Sequence, residues 1–200
     1  MNLPKFIQDG VDAFEMLPGI GPKSAQRLAF YMLKLPKDQV VRFAESIKDL
    51  KDKSQMCSRC FNISEFPICE ICADQFRSAH SICVVETPMD LISIEKTGFK
   101  GIYHVLHGVL NPMSGIGPEE IMIPQLLKRV SESPEITEVI LATGTSVEGE
   151  TTAAYIKREL KNRNPQIKIT RLGRGLPVGA DIEYTDQSTL NDALISRTDY

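Results

Sequence analysis

Nothing in the 200-residue chain approaches the roughly 18 consecutive apolar residues that mark a membrane-spanning helix. The opening stretch MNLPKFIQDGVDAF lacks the basic, apolar and cleavage regions of a secretory signal, so a cytoplasmic location with no membrane partner is expected. A surplus of positive charge is missing too. The formal net charge is −3, which excludes a polybasic coat and confines any nucleic-acid affinity to a local patch. Neither a tandem repeat nor a low-complexity run is present. A nucleotide P-loop is also absent: GIGPKS has Pro22 before Lys23 where a glycine belongs, and the first glycine of G-x-x-x-x-G-K-S/T is missing.

What is present is an ordinary globular composition, 42% apolar and 24% charged, with room for one or two small domains and a real core. Charge is unevenly spread. Residues 1–53 carry +2 and the remainder −5, which points weakly to the N-terminal part as the side that meets an anion, although a solvated helical face would look the same. Four segments follow from the patterning. Residues 1–53 read as helices (DAFEML, KSAQRLAFYML, KDQVVRFAESIKDLKD), with Ala25, Leu28, Ala29 and Met32 at the spacing of a buried stripe. Residues 54–79 are short, polar and cysteine-rich. Residues 80–175 alternate strands (SICVVE, GIYHVL, EVILA, IKITRL) with helical stretches, which predicts a parallel sheet flanked by helices. Residues 176–200 form a short C-terminal arm. The fold class is α/β, with a helical hairpin segment and a small cysteine-rich module preceding the sheet.

Cys57, Cys60, Cys69 and Cys72 make the pattern C-x2-C-x8-C-x2-C. Two such pairs facing each other supply four thiolates at the tetrahedral spacing Zn²⁺ prefers, with no coordination position left open, so the expected ion is structural. The intervening FNISEFPI is too short to bury a core, and metal–thiolate bonds would provide most of its folding energy. A redox C-x-x-C would not need the second pair. Cys83, within SICVV, reads as a buried unreactive thiol.

In LPGIGPKSAQRLAFYML, Gly19-Ile20-Gly21 permits a tight turn and Pro22 sits at a first helical position, where its missing N–H costs nothing. Backbone N–H groups at that helix start attract a phosphate, and Lys23 and Arg27, at i and i+4, share the adjoining face. The stretch resembles the helix-hairpin-helix motif over about residues 8–33. That resemblance implies sequence-independent binding of the DNA backbone through Gly19, Gly21, Lys23 and Arg27; a plain packing hairpin is the alternative. A second GIGP turn, Gly115-Ile116-Gly117-Pro118, is followed by Glu119 and Glu120, whose charge repels phosphate, so it reads as a loop and helix start.

The loop ATGTSVEGETTA follows a strand, where open parallel sheets place their sites. It resembles the Toprim fold. Glu86 stands for that fold's strand-end glutamate and Glu148-Gly149-Glu150 for its E-G-E, but Gly144 and Ser146 occupy the positions of the two aspartates of D-x-D. A Mg²⁺ site needs those carboxylates. A carboxylate-rich crevice at Glu86, Glu148 and Glu150 without metal suggests instead a docking surface for a basic partner protein.

Helix-hairpin-helix, four-cysteine zinc finger, Toprim-like domain and the terminal RLGRGLPVGADIEYTDQSTL together resemble the RecR family of recombination mediators over nearly the whole chain. The resemblance implies a non-enzymatic bacterial DNA-repair factor. It would bind single- and double-stranded DNA, assemble into a ring-like homo-oligomer, and act with RecO- and RecF-type proteins to promote RecA loading on gapped or single-stranded DNA. The rival expectation, motivated by the three retained glutamates, is a small Mg²⁺-dependent Toprim nuclease or phosphotransfer enzyme. A purely structural scaffold is the third.

Overall fold

The computed structural model describes residues 3–197, so the first two and last three residues of the predicted segments lie outside the described residues. Contacts divide the chain after Ser54 into two units. In the first, helices α1 (Lys5–Glu15) and α2 (Pro22–Met32) pack on each other around Val11, Ala25 and Ala29, with Ile7, Phe14 and Ile20 at the margin. The predicted stripe on α2 is narrower than expected. Ala25 and Ala29 are buried, but Leu28 is 36% exposed, because α1 covers only one side of the helix. Helix α3 (Lys37–Asp52) buries no residue at all, and Val41, Phe43, Ile47 and Leu50 are all exposed.

The second unit begins with the paired strands β1 (Gln55–Met56) and β2 (Ile63–Ser64) and one helical turn, α4 (Glu70–Ala73). It continues through β3 (Ser81–Val85), α5 (Pro88–Glu95), β4 (Ile102–Val105), α6 (Ile123–Glu132), β5 (Glu138–Ala142), α7 (Val147–Arg163) and β6 (Lys168–Arg171). Strand order is β4-β3-β5-β6, parallel throughout. Successive residues of β3 serve opposite faces, as the pleat requires. Ile82 and Val84 join Leu126, Val139, Leu141, Ile156 and Leu160 beneath α6 and α7, while Cys83 and Val85 join Leu91, Tyr103 and Val105 beneath α5. The chain leaves β3 for β4 on one side and returns to place β5 on the other, so the switch point of the sheet lies at the C-terminal ends of β3 and β5. That is where open α/β sheets form their crevices. Helix α8 (Gln187–Ile195) ends the described chain, its Asp186 cap accepting from the Thr189 N–H at 2.9 Å.

Candidate functional site

Three groups of predicted residues occupy three places. At the start of α2, Gly19 has φ +82°, a backbone that disfavours any side chain, and Ile20 N–H closes the turn on Leu17 O at 3.1 Å. Gly21 is the N-cap, and no side chain caps the helix, so its first amides are open. A Cβ at Gly21 would meet nothing within 4 Å, so the room beside it faces outward. Lys23 and Arg27 are exposed and have no ion-pair partner among the described residues. The second GIGP turn differs as its acid predicts. It forms a loop with a 3-10 turn at Pro118–Glu120, and the Glu120 carboxylate accepts the Gly117 N–H at 2.8 Å, filling with its own charge the place an anion would take.

The four predicted cysteines converge. Their Sγ atoms all lie within 4.8 Å of one another, and the Cys60 and Cys69 sulfurs are 3.5 Å apart. A tetrahedral Zn²⁺ with bonds near 2.3 Å sets its sulfurs about 3.8 Å apart, so the cluster fits the ion. Cys57 Sγ accepts the Cys69 N–H at 3.4 Å. The first pair turns through Phe61 at φ +61°, whose N–H returns to Cys57 O at 2.9 Å. Hydrogen bonding with Cys69, then Cys72, pushes the Cys60 thiol up. The same bond from Cys60 pulls Cys69 down, to about 2. Four sulfurs this close suit a divalent cation, whose binding displaces their protons. Burial alone pushes Cys83 up to about 12, consistent with an inert thiol.

At the switch point, Glu86 follows β3 and its Oε1 accepts the Gly144 N–H at 2.5 Å. Ser146 caps α7 by accepting the Gly149 N–H at 3.1 Å. A Cβ at Gly149 would come within 2.4 Å of Gly144 O, so only glycine lets this loop close on α7. The three predicted glutamates do not gather around one point. Among the described residues, the only group of three or more candidate metal-binding side chains is the cysteine set. Glu150 forms ion pairs with both Arg171 and Arg174. Arg171 also donates to Thr143 Oγ1 at 2.6 Å and to Gly144 O at 3.3 Å, and Arg174 lies 3.6 Å from Asp192 of α8. Glu150, expected in an acidic crevice open to an outside cation, already has cations at hand. The structure supplies two internal cations, placed by the end of β6 and the residues just after it. Glu148 is the carboxylate of the three with no hydrogen bond or ion pair among the described residues. These side chains do not fit a Mg²⁺ site, which needs several carboxylate oxygens around one point.

Comparison with known proteins bears on all three places. Residues 7–51 match the RecR helix-hairpin-helix family, 55–74 the RecR four-cysteine zinc finger domain, 80–173 the Toprim domain and 175–198 the RecR C-terminal family. A "Recombination protein RecR" from Staphylococcus aureus is 49% identical over 200 residues, all of both chains. One from Herpetosiphon aurantiacus is 48% identical over 195 residues, covering 97% of this chain and 94% of its own. The chain belongs to the RecR family. It is accordingly a recombination protein of DNA repair, with a structural zinc in its four-cysteine finger and the predicted α/β class. No helix among the described residues is long and apolar enough to cross a membrane.

Sequence reasoning missed the residues that complete the RecR crevice, Thr143, Arg171 and Arg174. Arg171 and Arg174 lie 21 and 24 positions beyond Glu150, with no motif linking them. The available signal was RLGRG itself, two arginines at the C-terminal end of a strand beside the acidic loop.

Proposed function

We propose that this chain is a non-enzymatic, DNA-binding recombination mediator, cytoplasmic, that acts with RecO- and RecF-type proteins to promote RecA loading on gapped or single-stranded DNA. The observation that carries the reading is the open helix start at Gly21. Its uncapped amides, with Lys23 and Arg27 exposed alongside, offer a phosphate site, whereas Glu120 closes the equivalent turn. Such a grip reads no base edge, so it serves single and double strands of any sequence. The predicted partition of the chain at 53, 79 and 175 accords with separate tasks: DNA contact, a zinc-held module, partner docking and an arm.

Against a nuclease stand Gly144 and Ser146 in place of aspartates and Glu150 held by two arginines. With Glu150 neutralised, the docking surface for a basic partner centres on Glu148 and the rim of Glu86. Glu150 contributes by holding Arg171 and Arg174 in place. A homo-oligomer accords with the apolar residues that α3 leaves exposed, Val41, Phe43, Ile47 and Leu50; ring closure would require a second self-contact elsewhere on the chain. The test is titration of labelled single- and double-stranded DNA over a range of salt, with Mg²⁺ and with chelator. Salt-sensitive binding of intact DNA is expected in both. Magnesium-dependent cleavage would replace this reading with the enzyme, and absence of binding with the scaffold.

A further inference from the structure

The finger and the sheet meet along the open edge of β4. Val105 N–H donates to Cys60 O at 2.8 Å, and Tyr103 O, two residues earlier on the same edge, accepts from Arg129 of α6 at 2.7 Å. Residues i and i+2 of a strand direct their backbone groups to the same side. The guanidinium therefore sits one pleat repeat from the backbone of a zinc ligand. It also shares a cavity wall with Cys72 and Phe61. A Zn²⁺ held by four thiolates carries two net negative charges, and three of these cysteines are buried. Buried charge is costly unless paired. The other cation nearby, Arg59, reaches Cys72 O at 3.2 Å but is exposed, so water screens it. Lys128, on the same wall, is exposed and faces Glu132 at 3.9 Å. Burial pulls the Arg129 guanidinium down, and the sulfurs of Cys72, Cys60 and Cys57 act in the opposite direction.

We propose that Arg129 is the counter-cation of the zinc site, a positioning residue on the Toprim domain that makes zinc retention and the seating of α6 on the β4 edge one thermodynamic unit. The charge is what matters. A neutral donor to Tyr103 O would not replace it, whereas another cation in part would. Loss of zinc would in turn leave Arg129 half-buried with its main counter-charge gone.

The test uses full-length protein with Arg129→Gln, which keeps an amide donor and removes the charge, and Arg129→Lys, which keeps the charge. Zinc affinity is measured by competition with a chromogenic chelator at fixed pH. The expected result is a loss of about 10-fold or more for Arg129→Gln, in the range of outer-shell substitutions at metal sites. Arg129→Lys should stay nearer the parent than the glutamine variant. Equal zinc affinity in Arg129→Gln and parent overturns the proposal, and so does an equal loss in both variants. If the glutamine variant does not fold, hydrogen exchange on the parent decides. Stripping zinc should lower protection of α6 and Val105 together with the finger while β5 and β6 keep theirs; α6 unchanged by zinc removal refutes the coupling.

Discussion

Replacing Lys23 and Arg27 together by alanine removes the two exposed cations beside the open start of α2 and touches nothing that holds the fold. Ala25 and Ala29, not these two, face α1, and neither cation has an ion-pair partner among the described residues. Stability should change by no more than about 0.5 kcal/mol. Each phosphate contact contributes about 0.9 to the slope of log K against log salt on duplex and about 0.7 on single strands. Two contacts therefore predict a slope shallower by up to about 1.8 on duplex and about 1.4 on single strands. Over a roughly fourfold rise in salt, the parent's advantage over the variant on duplex should shrink by about 12-fold, which is the salt ratio raised to that slope difference. Fluorescence anisotropy at several salt concentrations measures it directly. Because the grip reads no base edge, the loss should be the same for unrelated sequences. Equal affinities and equal slopes for parent and variant on both kinds of DNA would refute the hairpin as the grip.

Metal analysis of protein purified under reducing conditions should find about one zinc per chain, and Cys69→Ser should lower the melting temperature and the zinc content together. Glu148→Ala with Glu150→Ala should lose RecO-type partner binding by calorimetry. DNA binding by the chain alone should hold or tighten slightly, because Arg171 and Arg174 lose their counter-charge; unchanged partner affinity removes the docking surface. Burial pulls the His104 pKa from 6.5 down to about 3, with Nε2 bonded to Met122 O at 2.8 Å. The unfolded chain therefore binds the extra proton between those values. The stability His104 contributes is complete above pH 6.5 and is lost as pH falls toward 3, about 2 kcal/mol of it by pH 5. At saturating zinc, denaturant titrations should show that slope in the parent and not in His104→Asn; a slope that survives in the variant would assign it to other groups.

Periodicity made the α/β domain legible, because apolar strands such as SICVV alternate with helical stretches, and helices placed between parallel strands cover both faces of the sheet. Cysteine spacing did the same for the finger, since metal geometry leaves little freedom. Electrostatic partnership was not legible. That Glu150 is neutralised depends on where β6 ends relative to α7, a matter of sheet register that one-dimensional spacing does not encode. Exposure of Leu28 and of the whole apolar stripe of α3 was hidden for a related reason. Periodicity identifies a face that needs cover, not whether the same chain supplies it. Nothing in the sequence sets Arg129 apart from any last-turn cation of a helix; its place beside the finger comes from the docking of the finger on the β4 edge.

Mediation of recombinase assembly is tested most directly by the rate of RecA-type filament growth on gapped DNA in Mg²⁺, with and without this chain, in the presence and absence of a RecO-type partner. Growth should accelerate only when chain and partner are both present, with the DNA intact, and Lys23→Ala/Arg27→Ala should abolish the gain. Growth that is indifferent to the chain, or DNA cut in its presence, would contradict the mediator.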